Sequence, residues 1–168
     1  MPLSMYQASV AVYLPLLNAL SATLDKAAAH AQARKIKPEA LITARLFPDM
    51  WSLAEQVRAA CSQPTRGTAR LAGLPIPEFE GSDVTFDDLK ARVAWAVKFL
   101  EGVDPAAVDG SEERPITFPM GGETRTMPGQ RYFLRFTLPN FYFHLTTAYD
   151  ILRHNGVALD KQDFTGGM

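Results

Sequence analysis

Of the three histidines in the chain, His144 is the one whose neighbours invite chemistry. Asn140, His144, Thr147 and Ile151 follow one another at steps of four, three and four. On a helix they form one seam beside an apolar stripe, with Asn140 and His144 one turn apart. Phe136, Phe141, Tyr142 and Phe143 surround that seam, and an unpaired imidazole in apolar company costs free energy. A partner is therefore expected. It is either a protein acceptor or a metal ion, held as in bundle cores by side chains from facing helices. Asp49 is the first candidate to complete such a site from an earlier helix, and Glu55 the second. His30 and His154 fall at helix ends, where a protonated ring suits the C-terminal dipole, and read as surface residues.

The remaining reactive types offer less. Cys61 lies near Arg58 and Arg66, which can lower a thiol pKa, but no histidine neighbours it; it reads as a small apolar residue in a helix interface. Asp87-Asp88 and Glu112-Glu113 are adjacent in sequence, so their side chains diverge and stay solvated. The chain has no Gly-rich phosphate loop, Gly-x-Ser-x-Gly elbow, Cys-x-x-Cys or His-Glu-x-x-His.

Composition sets the outer limits. At 168 residues the chain has the length of one domain, residues 1–168, and needs no disulfide or structural metal to hold its core. Lys and Arg number 17 against 18 for Asp and Glu, giving a net charge of −1. Neither nucleic acid nor an anionic membrane surface is attracted by such a balance, so neither is an expected partner. No apolar run approaches the ~20 residues of a membrane span, and no signal peptide is visible, so a cytoplasmic protein is expected.

Four helical stripes must position His144. The first is Tyr6, Val10, Tyr13, Leu17, Leu20 and Leu24, started by Pro2 or Ser4, ended between Lys35 and Pro38, and kinked at Pro15. The second is Leu46, Met50, Leu53, Val57 and Ala60, with Pro48 in its first turn, and residues 40–47 are a possible separate helical turn leading in. Residues 63–73 read as a further short helix and connector, closed by Gly73, and Leu74-Pro75-Ile76-Pro77 as an extended link. The third stripe is Phe86, Leu89, Val93, Ala96 and Leu100, capped by Thr85 with Asp88 and stopped by Gly102. The fourth is Leu134, Leu138, Phe141, Leu145, Ala148 and Leu152, from near Pro128 to Asn155-Gly156, with Pro139 loosening the carbonyl of Arg135. Between the third and fourth, residues 116–127 alternate around Gly121-Gly122 and predict a β-hairpin that must pack on the helices. The expected fold is all-α: a four-helix bundle with a small β-hairpin between helices 3 and 4.

Several stretches carry a resemblance: Ser4-Met5-Tyr6-Gln7-Ala8-Ser9-Val10, Leu24-Asp25-Lys26-Ala27, Ala44-Arg45-Leu46-Phe47-Pro48-Asp49-Met50, and Leu138 through His144 onward to Arg153. With Asn155-Gly156-Val157 and Asp163-Phe164, they resemble an uncharacterised bacterial family, domain of unknown function nineteen-ninety-three, over nearly the whole chain. The resemblance implies a DinB-like four-helix bundle. That superfamily includes divalent-metal proteins and thiol-dependent transferases or isomerases, whose usual site is three histidines, one on the second helix and a His-x-x-x-His pair on the last. Carried over, His144 matches the second histidine of the pair. Asn140 stands in place of the first, and Asp49 falls near the second-helix position.

The metal candidates are therefore His144, Asn140 and Asp49, with a divalent metal as the possible cofactor. Three functional expectations follow. One is a small-molecule or degenerate metal-binding module using that trio. Another is a metal- or thiol-dependent transferase or isomerase using His144 as ligand or base. The third is a structural role in which His144 bonds across to Asp49 and the protein acts through an oligomer surface. Tyr132, Phe133, Phe136, Tyr142 and Phe143 exceed what one helix face buries, so a homodimer or a cover by the hairpin is expected.

Overall fold

A computed structural model describes residues 3–167 of the chain. Pro2, the alternative start, lies outside the described residues. Ser4 opens the first helix through a reciprocal cap: its hydroxyl accepts from the Gln7 amide at 3.2 Å, and Gln7 Oε1 accepts from the Ser4 amide at 3.3 Å. The short α1 (Met5–Ala8) passes into α2 (Val10–Arg34) through one irregular residue, Ser9, with φ −114° and ψ −83°. Pro15 lies inside α2, which runs through it without a break. Lys35 ends the helix in the left-handed region at φ 54°. By length and composition Met5–Arg34 is apolar enough to cross a membrane, although no single run in it is uninterrupted. Here Val10, Tyr13, Leu17, Leu20 and Leu24 are buried, and α2 packs against the helix at 86–101 and the C-terminal turn.

The second stripe needs correction. Only α3 (Pro38–Ile42) and then α4 (Leu53–Ala72) are helical, so Leu46 and Met50 belong to a loop and Leu46 is exposed. The cause is a stronger start signal downstream. Ser52 and Glu55 form a capping box, with the Glu55 carboxylate accepting from the Ser52 amide at 2.8 Å. Nor is 63–73 a separate helix: α4 continues through Pro64 and closes on Gly73 at φ 69°. After an extended link, α5 (Phe86–Glu101) begins with the expected Thr85–Asp88 box and buries Phe86, Leu89, Val93, Ala96 and Leu100. The turn α6 (Pro105–Val108) follows.

Strands β1 (Pro115–Met120) and β2 (Glu123–Pro128) pair antiparallel from Pro115↔Pro128 to Met120↔Glu123. Gly121 and Gly122 both have positive φ, 62° and 82°, as a two-residue primed turn demands. The hairpin is anchored by Ile116 and Phe118, whose ring lies 4.6 Å from Tyr132 and 4.7 Å from Phe136. It thus covers part of the aromatic cluster; Tyr142 and Phe143 stay exposed.

The last long helix comprises α7 (Gly129–Tyr132), a π turn (Phe133–Thr137) and α8 (Leu138–His154). Pro139 has no amide to offer the Arg135 carbonyl, and the turn just before it widens so that the Leu138 amide bonds back to Phe133. The extra residue rotates the first part of the stripe. Leu134, expected inside, is 50% exposed, while Phe133 and Thr137 are buried in its place. From Phe141 onward the expected stripe is buried. A final α9 (Lys161–Thr165), capped by Asp160, lies on α2 through the Lys26–Asp163 pair at 2.6 Å. Around the bundle α2 packs on α5, α5 on α4, and α4 on α8, which returns to α2.

Candidate functional site

The site lies where the start of α4 faces the middle of α8. Its frame is the loop before α4. Arg45 and Ser52 form an isolated antiparallel bridge, and the Leu53 amide donates to the Ala44 carbonyl at 2.9 Å. The Arg45 guanidinium donates to the Met50 carbonyl and stands 3.4 Å from the Glu55 carboxylate. These contacts close the loop on itself and fix Trp51 immediately before the Ser52 cap.

Across the interface, His144 is buried and its Nδ1 lies 2.8 Å from Gln56 Oε1. Gln56 Nε2 donates to the Trp51 carbonyl at 3.3 Å, which assigns the carboxamide orientation from its network. The oxygen facing His144 can only accept, so Nδ1 carries the proton and Nε2 keeps its lone pair. The Trp51 indole stacks on the imidazole at 5.3 Å and 10°, and the Phe143 ring meets it edge-on at 5.3 Å and 84°. Burial pushes the His144 pKa below its ordinary value, favouring the neutral ring. Nε2 has no hydrogen-bond partner among the described residues, and the ring lines a cavity of about 260 Å³ with Asp49, Met50, Trp51, Gln56 and Phe143.

Of the residues singled out from sequence, the structure brings His144 and Asp49 to one cavity and leaves Asn140 out. The Asn140 carboxamide donates to the Phe136 carbonyl at 2.6 Å, within its own helix. Glu55 serves the Ser52 cap, whose hydrogen bonds hold its carboxyl below the usual range. Cys61 is fully buried away from the cavity, and burial pushes its thiol up to about 12. His30 lies beside Gly156, at the turn following α8.

The partner of His144 is Gln56, which the sequence reading passed over. It stands three residues after Leu53 and four before Ala60, on the inward face of the second stripe, so a polar residue there was the available signal. Trp51 gave no such signal, since its position depends on the closed loop.

The donor set does not fit a three-imidazole divalent centre. It offers one free imidazole nitrogen and one carboxylate, while the Gln56 oxygen is committed to Nδ1 and Asn140 faces its own backbone. Among the described residues no group of three or more His, Cys, Asp or Glu side chains is placed to hold a metal ion.

The profile of a family described as domain of unknown function (DUF1993) matches residues 5–165. The chain is also similar to a crystal structure of a DinB family member protein from Shewanella denitrificans, at 34% identity and a TM-score of 0.87. That match covers 97% of this chain and 92% of the other. No curated protein matches the chain.

Proposed function

The chain belongs to the DUF1993 family, on a DinB-like four-helix bundle, and from that premise we propose that it is a small-molecule-binding module whose ligand sits against Trp51 and Phe143 and donates a hydrogen bond to His144 Nε2. The observation that carries this reading is the 2.8 Å contact from Gln56 Oε1 to His144 Nδ1. It occupies one ring nitrogen within the protein and leaves the other an acceptor of fixed tautomer, on a ring that lines the cavity. Two aromatic rings beside a single oriented polar group are the usual composition of a small-ligand site. At about 260 Å³ the cavity suits a compact molecule.

The same feature supports a second reading, a transferase or isomerase with His144 as general base. A neutral imidazole with its tautomer fixed is the form a base requires, and the oriented Nε2 supplies it.

Binding is tested by titrating benzyl alcohol, a neutral aromatic hydroxyl donor, into ¹⁵N-labelled protein. Saturable shifts of the Trp51 indole and His144 ring signals, with Trp95 unmoved, are expected. His144→Gln, which keeps an amide donor toward Gln56, abolishes the Trp51 shift. Shifts spread equally over both indoles, or unchanged in the variant, overturn the reading.

A further inference from the structure

Resting on the reading of this cavity as a ligand site, we propose that its ligand is a small organic cation, a protonated amine carried on an apolar body. The six lining residues provide a carboxylate, an imidazole acceptor, a carboxamide, a thioether and two aromatic rings, and none is Lys or Arg. Asp49 is exposed at this cavity and has no ion pair or side-chain hydrogen bond among the described residues. Among the described residues five acids are ion-paired elsewhere, among them Asp163 with Lys26, Asp25 with Lys90 and Asp83 with Arg92, whereas Asp49, like several surface acids, is not, and it is the acid that lines this cavity. Arg45, in the loop that frames the cavity, is held by the Met50 carbonyl and by the Glu55 carboxylate in the first turn of α4, which matches its charge.

An ammonium group has three donors and no acceptor, which suits a cavity whose lining offers an imidazole acceptor and a carboxylate. Trp51 and Phe143 are 49% and 56% exposed, leaving π surface for the charge and for the apolar body. A carboxylate ligand would meet the Asp49 charge with no lining cation to offset it. A neutral ligand would satisfy Nε2 and gain nothing from Asp49.

The test compares benzylamine, benzyl alcohol and benzoate, near-isosteres of charge +1, 0 and −1, by the same ¹⁵N titration at pH 7.5 and low salt. Benzylamine is expected to bind about fivefold more tightly than benzyl alcohol, the factor one unit-charge contact supplies in water at about 4 Å. Benzoate is expected to bind more weakly than either. Asp49→Asn, a change at an exposed position, brings the amine-to-alcohol ratio toward one, and 0.5 M salt narrows it in the parent protein. Equal binding of amine and alcohol at Trp51 and His144 overturns the cation and leaves the ligand site standing. So does tighter benzoate binding, or a ratio that Asp49→Asn leaves unchanged. If none of the three compounds moves the Trp51 and His144 signals, both readings fall.

Discussion

Gln56 Oε1 accepts the Nδ1 proton of His144 at 2.8 Å, joining the first turn of α4 to the middle of α8. The contact answers the free-energy problem posed by an imidazole among aromatic rings. A carboxamide supplies the acceptor without a charge, so the ring is satisfied while remaining neutral. Gln56 is itself oriented by the Trp51 carbonyl, and Trp51 by the closed loop ending in the Ser52 cap. Helix capping, tautomer and cavity wall therefore form one connected arrangement.

Replacing that neutral acceptor by a charged one has a definite sign. Gln56→Glu places a carboxylate beside Nδ1 and favours the imidazolium, so the His144 pKa rises from below its ordinary 6.5 to above it. A ¹H titration of the His144 ring protons reads the change directly. An unmoved midpoint would show that the pair is not formed in solution.

The depressed pKa of His144 also makes stability depend on pH. Below the unfolded value of about 6.5 the unfolded chain binds a proton that the folded ring resists. Stability from this group is therefore complete above about pH 6.5 and declines as pH falls toward the lower folded value, below which the loss is constant. Urea midpoints at pH 7.5 and pH 5 measure the decline. His144→Gln should show a smaller difference between the two pH values than the parent; an equal or larger one rejects the assignment.

How far this arrangement was legible in the sequence depends on the range of each interaction. The third stripe, the Thr85–Asp88 cap and the Gly121-Gly122 turn rest on contacts within a few residues, and each formed as read. The bundle followed from the stripes and from the family resemblance, which residues 5–165 bear out. The start of α4 failed because Pro48 and the spacing of Leu46 and Met50 imitate a helix, whereas Ser52 and Glu55 cap it more strongly. Leu134 failed because a π turn shifts register by one residue, which a fixed period cannot represent. At the site, the seam identified His144 and its need for a partner. The identity of that partner is set by a register between α4 and α8 that no local pattern encodes.

Cys61 supplies a test of which groups are chemically available. Its thiol is fully buried and pushed up to about 12, chiefly by loss of solvent, so the thiolate is scarce at neutral pH. Native protein should react with a disulfide reagent such as DTNB far more slowly than protein unfolded in urea, by roughly the protection that burial confers in a stable domain. Rapid stoichiometric labelling of the native chain, followed by absorbance at 412 nm, would contradict the burial.

The close approach of α4 to the π turn at Gly67 can be tested by adding one methyl group. A Cβ on Gly67 would lie 2.3 Å from Thr137 Cγ2 and 3.0 Å from its Oγ1, far inside contact distance. Thr137 is buried, and its hydroxyl has no hydrogen-bond partner among the described residues. In an open helix Gly→Ala is stabilising by up to about 1 kcal/mol. Here overpacking, typically about 1–3 kcal/mol, exceeds that gain, so Gly67→Ala is expected to destabilise. Thr137→Ala removes both the methyl and the unpaired hydroxyl from the contact. In the double variant the Gly67→Ala penalty should shrink or reverse, giving a favourable coupling in a double-mutant cycle of urea midpoints. Additive effects would mean that the helix and the π turn do not meet as described, and that the register which brings Gln56 to His144 is not held at this point.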